Sequence, residues 1–216
     1  MALQYHVIPV TPFAQNCSVL WCDVSRRAAV VDAGGDIDLI RQFVEQHKLT
    51  VEKLLLTHGH IDHAGACASL AASLNVPIEG PQRAESFWLD QLPHQGQMFG
   101  FPPSAPLVPD RWLEEGDQIS IGNETLQVLH CPGHTPGHVV FYSASAHLLV
   151  AGDVLFQGSI GRTDFPMGNH QQLLDAIEQK LFALPDETLV ITGHGPLTTL
   201  GEEKRHNPFV SSARYR

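Results

Sequence analysis

The stretch Thr57-His58-Gly59-His60-Ile61-Asp62-His63 follows an apolar run and contains four potential metal ligands within six residues. His58 and His60 are two residues apart, a spacing that places both side chains on one side of an extended loop. Asp62 and His63 come next, at the predicted start of a helix, where the helix dipole favours a carboxylate. Three imidazoles and a carboxylate this close together predict a metal site rather than a polar turn with solvated histidines.

Three further potential ligands occur later in the chain, each after an apolar strand-like run and among small residues. They are His134 in Cys131-Pro132-Gly133-His134, Asp153 in Ala151-Gly152-Asp153, and His194 in Thr192-Gly193-His194-Gly195. Taken singly, each could be an ordinary cap or turn residue. Together, five histidines and two aspartates predict two adjacent divalent ions with open positions for water. No cysteine stands among them, which argues against a closed structural zinc site.

Composition and charge exclude several classes of function. The 216 residues include 13 basic and 23 acidic side chains, and the net charge of −10 argues against a nucleic-acid partner. No apolar run of 18 residues is present, so no membrane span is expected. Residues 1–6 lack the features of a signal peptide, and the four cysteines form no CxxC pair. We therefore expect a cytoplasmic protein with reduced thiols, and a monomer.

Apolar periodicity alternates between strands and helices along the whole chain, and no linker or low-complexity segment divides it. The pattern predicts helices over Ile37–Lys48, His63–Leu74 and Gln171–Leu184. Residues 81–111 contain six prolines and little periodicity. We expect a short helix over Ala84–Leu92 there, followed by a long surface loop of the kind that often forms a lid or a binding element.

The motif HxHxDH at residues 58–63, followed by a single His, a single Asp and a final His, resembles the metallo-β-lactamase family over about residues 5–210. The resemblance implies one α+β domain over residues 1–216, a four-layer αββα sandwich with the metal site at one edge. It implies that one metal ion is held by His58, His60 and His134, that a second is held by Asp62, His63 and His194, and that Asp153 bridges the two.

Two shorter segments, Gly161-Arg162-Thr163-Asp164 and Asn207-Pro208-Phe209, resemble the short bacterial type II glyoxalases, which are hydroxyacylglutathione hydrolases. The resemblance implies hydrolysis of S-2-hydroxyacylglutathione thioesters, such as S-lactoylglutathione to lactate and glutathione in methylglyoxal detoxification. Two departures concern how glutathione is held. The chain lacks the additional C-terminal helical region of the long forms, and it has Gly195-Pro196 where they have Glu-Tyr.

In this interpretation a metal-bound hydroxide attacks the thioester, and Asp62 orients it while also binding its metal. We expect zinc, with iron or manganese as alternatives, because His/Asp sites accept each of these metals. Arg162 either pairs with a carboxylate of the substrate or pairs only with Asp164. No nucleophilic serine or cysteine is required.

Two residues outside the ligand set are candidates for supporting it. Asp32 ends a predicted strand, and it either orients a ligand histidine or forms an ordinary turn beside Gly34-Gly35. His138 follows a Thr-Pro-Gly turn, and we expect it to stiffen the loop that carries His134.

Two alternative functions remain open at the level of sequence. A persulfide dioxygenase would use one iron ion, held by His58, His134 and Asp153 in the pattern of two histidines and one carboxylate. A non-catalytic metal-binding scaffold would keep the ligands without turnover, although nothing in the ligand set is missing.

Overall fold

The computed structural model describes residues 3–210, and its strands form two large sheets and one small hairpin. The first sheet contains, in spatial order, β1 (Leu3–Val10), β2 (Gln15–Cys22), β3 (Arg27–Val31), β4 (Thr50–Leu55) and β5 (Ile78–Glu79). Then follow β6 (Gln118–Ile121), β7 (Glu124–His130), β8 (Val139–Ser143), β9 (Leu148–Gly152), the hairpin of β10 (Leu155–Phe156) and β11 (Ser159–Ile160), β12 (Leu189–Thr192) and β13 (Thr198–Thr199). The second sheet has the order β13-β12-β9-β8-β7-β6.

Helices lie between the strands along the chain. They are α1 (Ile37–Gln46), α2 (Ile61–Ala64), α3 (Cys67–Leu74), α4 (Ser86–Asp90), α5 (Leu92–Phe99), α6 (His170–Ala176) and α7 (Leu200–His206). A 3₁₀ turn at Arg83–Glu85 leads into α4, and a π-helical turn at Ile177–Leu181 extends α6.

Side chains alternate between the two faces of each central strand, which gives the molecule three separate apolar cores. In β3, Ala28 and Val30 pack with α1 and α3, whereas Ala29 and Val31 pack against the second sheet. In the second sheet, β8 and β9 divide their side chains in the same way between the first sheet and the layer of α6 and α7. Three cores separate four layers, so the predicted αββα sandwich is confirmed.

Strand direction brings the ends of several strands to one edge of this sandwich. In the first sheet β3 and β4 are parallel, and in the second sheet β9 and β12 are parallel. β7 runs in the same direction as β9, because each is antiparallel to the β8 strand between them. The segments that follow β3, β4, β7, β9 and β12 therefore meet at one edge, and all seven predicted ligands lie in them.

The helical predictions differ from the structure in two places. The helix predicted over His63–Leu74 is broken into α2 and α3, because the chain turns tightly at Gly65, where a Cβ would lie 2.5 Å from the carbonyl oxygen of Ile61. The loop predicted after Leu92 begins later than expected, because residues 92–99 form α5, and the loop then runs over residues 100–110. Pro93 stands in the first turn of α5, where a proline leaves no helical hydrogen bond unmade.

Two further expectations concern the membrane and the thiols. No helix among residues 3–210 is long and apolar enough to cross a membrane. All four cysteines lie within the described part of the chain, are buried and form no disulfide, as expected for reduced thiols.

Candidate metal centre

Three histidine nitrogens converge at the end of β4 and in the loop after β7. The Nδ1 atom of His60 lies 3.1 Å from Nε2 of His58 and 3.0 Å from Nε2 of His134. His58 is fully buried, and the ring of Trp88 covers His60 at a centroid distance of 4.6 Å. These three donor atoms lie close enough to hold a single ion, and we call them the first group.

A second group lies beside the first and combines a carboxylate with two imidazoles. Nε2 of His194 lies 3.1 Å from Oδ2 of Asp62, and Nε2 of His63 lies 3.8 Å from the same oxygen. Asp62 and His63 belong to α2, whereas His194 comes from the loop after β12. The two halves of the chain therefore each contribute ligands to the second group.

Asp153, at the end of β9, lies between the two groups. Its Oδ1 atom is 3.3 Å from Nε2 of His63, and its Oδ2 atom is 3.6 Å from Nε2 of His134 and 3.7 Å from Nε2 of His194. The carboxylate therefore faces both groups, which is the position of a bridging ligand. Gly193 makes this placement possible, because a Cβ there would lie 2.0 Å from Oδ1 of Asp153.

Several donor atoms of the two groups lack a hydrogen-bond partner that a divalent ion would supply. Nε2 of His63 and Oδ1 of Asp153 are buried and form no hydrogen bond. In the first group, Nδ1 of His60 faces two other ring nitrogens, and one ion can satisfy all three lone pairs at once. Buried polar atoms without partners are costly unless something else binds them, and a metal ion at each group would do so.

The protonation states also suit metal binding. Burial lowers the pKa of His60 to about 3, and burial together with the neighbouring imidazoles lowers the pKa values of His58 and His134. All three are therefore neutral near pH 7, the form in which histidine binds metal. Burial would raise the pKa of Asp153, but the His63 imidazole outweighs it and holds this pKa well below its ordinary range.

Asp32 and Thr57 contact the Nδ1 atoms of two candidate ligands, His63 and His58. Nδ1 of His63 lies 2.9 Å from Oδ2 of Asp32, and the Thr57 hydroxyl and backbone N–H donate to the same carboxylate at 2.7 and 2.8 Å. The Thr57 hydroxyl oxygen lies 3.0 Å from Nδ1 of His58. Because the oxygens of Asp32 are already engaged, its position is that of an orienting partner of His63 rather than of a ligand.

The remaining ligands are held by backbone groups. Nδ1 of His134 lies 2.7 Å from the Arg162 carbonyl oxygen, and Nδ1 of His194 lies 3.2 Å from that of Phe13. Nε2 of His138 accepts the backbone N–H of Asp153 at 3.1 Å. The carbonyl oxygen of His138 also accepts the backbone N–H of Cys131 at 2.8 Å, so His138 contacts the loop that carries His134 as well as Asp153.

Two buried polar residues in the segment 81–111 brace the ligand loops, and the sequence analysis did not find them. Glu85 accepts the backbone N–H groups of Gly59 at 2.9 Å and of Gly137 at 2.7 Å, which ties the loop after β4 to the loop after β7. Gln95 accepts the N–H of Ile61 at 2.9 Å and donates to the carbonyl of Gly59. A lone Glu and a lone Gln in a proline-rich segment give no signal in a single sequence.

We expect Glu85→Gln to destabilise the protein in a pH-dependent way. Glutamine offers one acceptor in place of two, and a buried N–H left without an acceptor costs about 1–3 kcal/mol. Burial raises the pKa of Glu85 from 4.5 to about 7. Because this pKa is higher in the folded state, the stabilising contribution of Glu85 is complete below about pH 4.5 and is lost as the pH rises through about 7.

The free energy of unfolding of the wild type should therefore exceed that of Glu85→Gln by a margin that narrows between about pH 4.5 and 7. Urea titrations in the presence of a chelator would measure this margin without a contribution from metal loss. Glu45→Gln, at an exposed position in α1, is the matched control. A margin that does not change with pH would contradict the prediction.

A cavity of about 880 Å³ opens above both groups. Its walls include six aromatic side chains, which are Phe13, Phe87, Trp88, Phe99, Phe156 and Phe165. Arg162 also lines the cavity, but its guanidinium donates to both carboxylate oxygens of Asp164, at 3.0 and 2.7 Å, and lies over the ring of Phe165. Of the two roles considered for Arg162, the structure therefore shows the pairing with Asp164.

The model of the metallo-beta-lactamase superfamily matches residues 10–194, a range that contains all seven candidate ligands. The chain belongs to the metallo-beta-lactamase superfamily. A similar protein, hydroxyacylglutathione hydrolase GloC of Haemophilus influenzae, is 44% identical over 211 residues, which cover 97% of this chain and 99% of the relative. The superfamily and this relative identify the chain as a metallo-hydrolase.

Two solved structures of the superfamily are similar over nearly the whole chain. The B3 metallo-beta-lactamase BLEG-1 has a TM-score of 0.89 and 38% identity, and the match covers 97% of this chain and 100% of that one. TTHA1623, solved in a di-iron-bound form, has a TM-score of 0.86 and 34% identity, and the match covers 95% of this chain and 100% of that one. Together with the His/Asp groups, these likenesses support divalent metal binding by this chain.

Proposed function

We propose that this metallo-hydrolase cleaves S-2-hydroxyacylglutathione thioesters, with S-lactoylglutathione as the representative substrate. The observation that carries the proposal is the complete pair of ligand groups, with Asp153 between them, at the floor of an open cavity. The likeness to hydroxyacylglutathione hydrolase GloC supports the choice of a glutathione thioester over the other substrates of metallo-hydrolases. Zinc is the metal that we expect, and the di-iron form of TTHA1623 makes iron the first alternative to measure.

The residues of the chain divide the work of hydrolysis between them. His58, His60 and His134 would hold one ion, and the second group would hold another. When bound, two such ions lower the pKa of a coordinated water and polarise the carbonyl group that is to be attacked. Asp62 is the candidate for orienting the attacking water. Burial would raise the pKa of Asp62, but the His63 and His194 imidazoles together outweigh it and lower this pKa, so the carboxylate is ionised and can accept a hydrogen bond.

The reaction needs little more from the protein. The oxygen of water forms a bond to the thioester carbonyl carbon, while one proton of that water passes through Asp62 to solvent. The C–S bond breaks, and the products are the 2-hydroxy acid and the thiolate of glutathione, which takes up a proton from solvent. Thiols have pKa values near 8.5, and the thiolate therefore departs without a strong general acid. Asp62, a member of the second group, is therefore a sufficient proton acceptor for a thioester.

Each of the two alternative functions would leave some features of the site without a role. A mono-iron persulfide dioxygenase needs two histidines and one carboxylate, which would leave the second group without a role. A scaffold without turnover would need neither the open cavity nor an ionised Asp62 beside both groups. The arrangement therefore favours hydrolysis at a site with two ions.

The proposal is tested by assays on protein reconstituted with zinc, iron or manganese. Release of thiol from S-lactoylglutathione is expected with at least one of these metals. Oxygen uptake with glutathione persulfide is measured in parallel, as is cleavage of a β-lactam, because of the likeness to BLEG-1. Oxygen uptake or β-lactam cleavage without thioester hydrolysis would overturn the proposal, and so would inactivity towards all three substrates.

Arg162→Ala should raise KM for S-lactoylglutathione by about three- to tenfold and leave kcat nearly unchanged. The guanidinium lies at the cavity wall, where it can exchange Asp164 for a substrate carboxylate through charge-assisted hydrogen bonds. Loss of a contact made equally in the ground and transition states appears in KM.

The companion variant Asp164→Asn releases Arg162 from its intramolecular partner, and it should therefore lower KM for the same substrate. Steady-state kinetics of both variants decide the role of Arg162. Unchanged KM values in both would show that Arg162 only fixes its own loop.

A further inference from the structure

The cavity above the metal centre is lined by apolar side chains that remain exposed to solvent. Phe13, Phe87 and Phe99 are 44%, 41% and 47% exposed, and Met98 is 63% exposed. All four line this one cavity. Exposed apolar side chains gathered around one opening mark a surface that becomes buried when a ligand binds.

These side chains come from separate segments and meet across the opening. Phe13 lies in the turn between β1 and β2, and Phe99 lies at the end of α5. Their rings make an edge-to-face contact at a centroid distance of 5.8 Å. Phe87 continues the same surface through Trp88, which it contacts at 5.4 Å. We call the residues Phe13, Phe87, Trp88, Met98 and Phe99 the apolar wall.

The apolar wall reaches the ligand groups themselves. Trp88 contacts the ring of His60 at 4.6 Å. Phe165 contacts the same ring at 4.9 Å and the ring of Trp88 at 6.2 Å, and Phe156 lies 6.3 Å from the ring of His194. Aromatic rings of the cavity therefore contact histidines of both ligand groups.

Few positively charged side chains line the cavity that could bind the two carboxylates of glutathione. Among the described residues that line the cavity, Arg162 is the one lysine or arginine, and it already pairs with Asp164. The remaining charged lining residues, Asp62 and Asp153, belong to the metal centre. Apart from Arg162, the polar thiol half of the substrate therefore finds no lysine or arginine among the described residues that line this cavity.

We infer that the specificity of this site lies in the acyl half of the substrate, and that the preferred thioesters have 2-hydroxyacyl groups with apolar chains longer than lactoyl. This inference rests on the proposed thioester hydrolysis. The carbonyl carbon bears the acyl chain on one side and the cysteinyl sulfur of glutathione on the other, and the acyl chain is the apolar one of these two parts, so it is the part that matches the apolar wall. A cavity of about 880 Å³ lies within the range of about 300–1,000 Å³ that holds drug-sized ligands, which leaves room for a longer chain.

A homologous series of glutathione thioesters tests the inference, because the reacting group is the same in every member. The series runs from lactoyl through 2-hydroxyhexanoyl to 2-hydroxyoctanoyl. With metal-replete wild-type protein, kcat/KM should rise by up to about threefold for each added methylene group, the factor expected when a methylene leaves water for an apolar surface. Values that stay level or fall from lactoyl onward would overturn the inference.

Variants of the apolar wall show whether the wall causes the rise. Phe87→Ala and Phe99→Ala change exposed side chains of the apolar wall, and both should flatten the rise of kcat/KM with chain length when each value is taken relative to the variant's own value for lactoyl. Tyr5→Ala is the matched control, because Tyr5 is 39% exposed on β1 and does not line the cavity. In this variant kcat/KM should depend on acyl chain length as it does in the wild type.

The possible failures are distinguishable. If kcat/KM rises with chain length in both wall variants as steeply as in the wild type, the assignment of acyl-chain specificity to the apolar wall is overturned. If every thioester is hydrolysed at a similar rate, the inference fails and the proposed function stands. If no thioester is hydrolysed, the proposed function fails, and the inference fails with it.

Discussion

Asp153→Ala should reduce thioester hydrolysis by more than about a hundredfold in a protein that remains folded. Its two carboxylate oxygens face His63 on one side and His134 and His194 on the other, so this one side chain belongs to both groups. Loss of an outer hydrogen-bond partner of a metal ligand already costs about 10–100-fold. Loss of the residue that spaces two ions should cost more, because the ions then no longer act on the same water and carbonyl group.

The fold should survive, because the residues of β9 that precede Asp153 are held in two apolar cores that the substitution does not touch. Circular dichroism and steady-state kinetics of the purified variant provide the measurement. Asp23→Asn is the control, since Asp23 is an exposed aspartate that pairs with Arg26. Activity above a few per cent of wild type in Asp153→Ala would show that Asp153 does not bridge two ions.

The gathering of the seven candidate ligands at one edge could be predicted from sequence, because the segments that carry them follow apolar strands that are recognisable by themselves. The strands end one to four residues before His58, His134, Asp153 and His194, and parallel neighbours must end at the same edge of a sheet. The sequence pattern therefore predicted both the residue types of the candidate site and its location at one edge of the sheets. The four-layer architecture, by contrast, followed only from the family resemblance.

Glu85 and Gln95 could not be predicted as supporting residues, because their partners are distant in sequence and are backbone groups. Glu85 bonds to Gly59 and Gly137, which lie 26 and 52 residues away. Gln95 lies in α5, which the sequence analysis took for loop because Pro93 and Gly96 interrupt the helical pattern. Any residue with an N–H can be such a partner, so no pairing of residue types marks these contacts in a single sequence.

The metal-replete protein should contain two divalent ions per chain, and each group should hold one of them independently of the other. His60→Ala removes a donor from the first group alone, and Asp62→Ala removes a donor from the second group alone. Native mass spectrometry should therefore find two ions in the wild type and one in each variant. His206→Ala, at an exposed histidine of α7, should keep both ions.

Chelation of both ions should lower Tm by about 15–30 °C. At free metal concentrations about a thousandfold above Kd, each ion stabilises the folded state by about 4 kcal/mol, and for a chain of this size each kcal/mol corresponds to about 2–4 °C. The unfolded chain cannot assemble ligands that come from both ends of the sequence, so nearly all of this stabilisation belongs to the folded state.

Differential scanning calorimetry with and without chelator measures the shift, and the two single-group variants separate its parts. Each variant should lose about half of the metal-dependent shift, because one group remains. If His60→Ala loses the whole shift while Asp62→Ala loses none, only the first group binds an ion under these conditions. That result, with one ion per wild-type chain, would replace two-ion hydrolysis by chemistry at a single ion held by His58, His60 and His134.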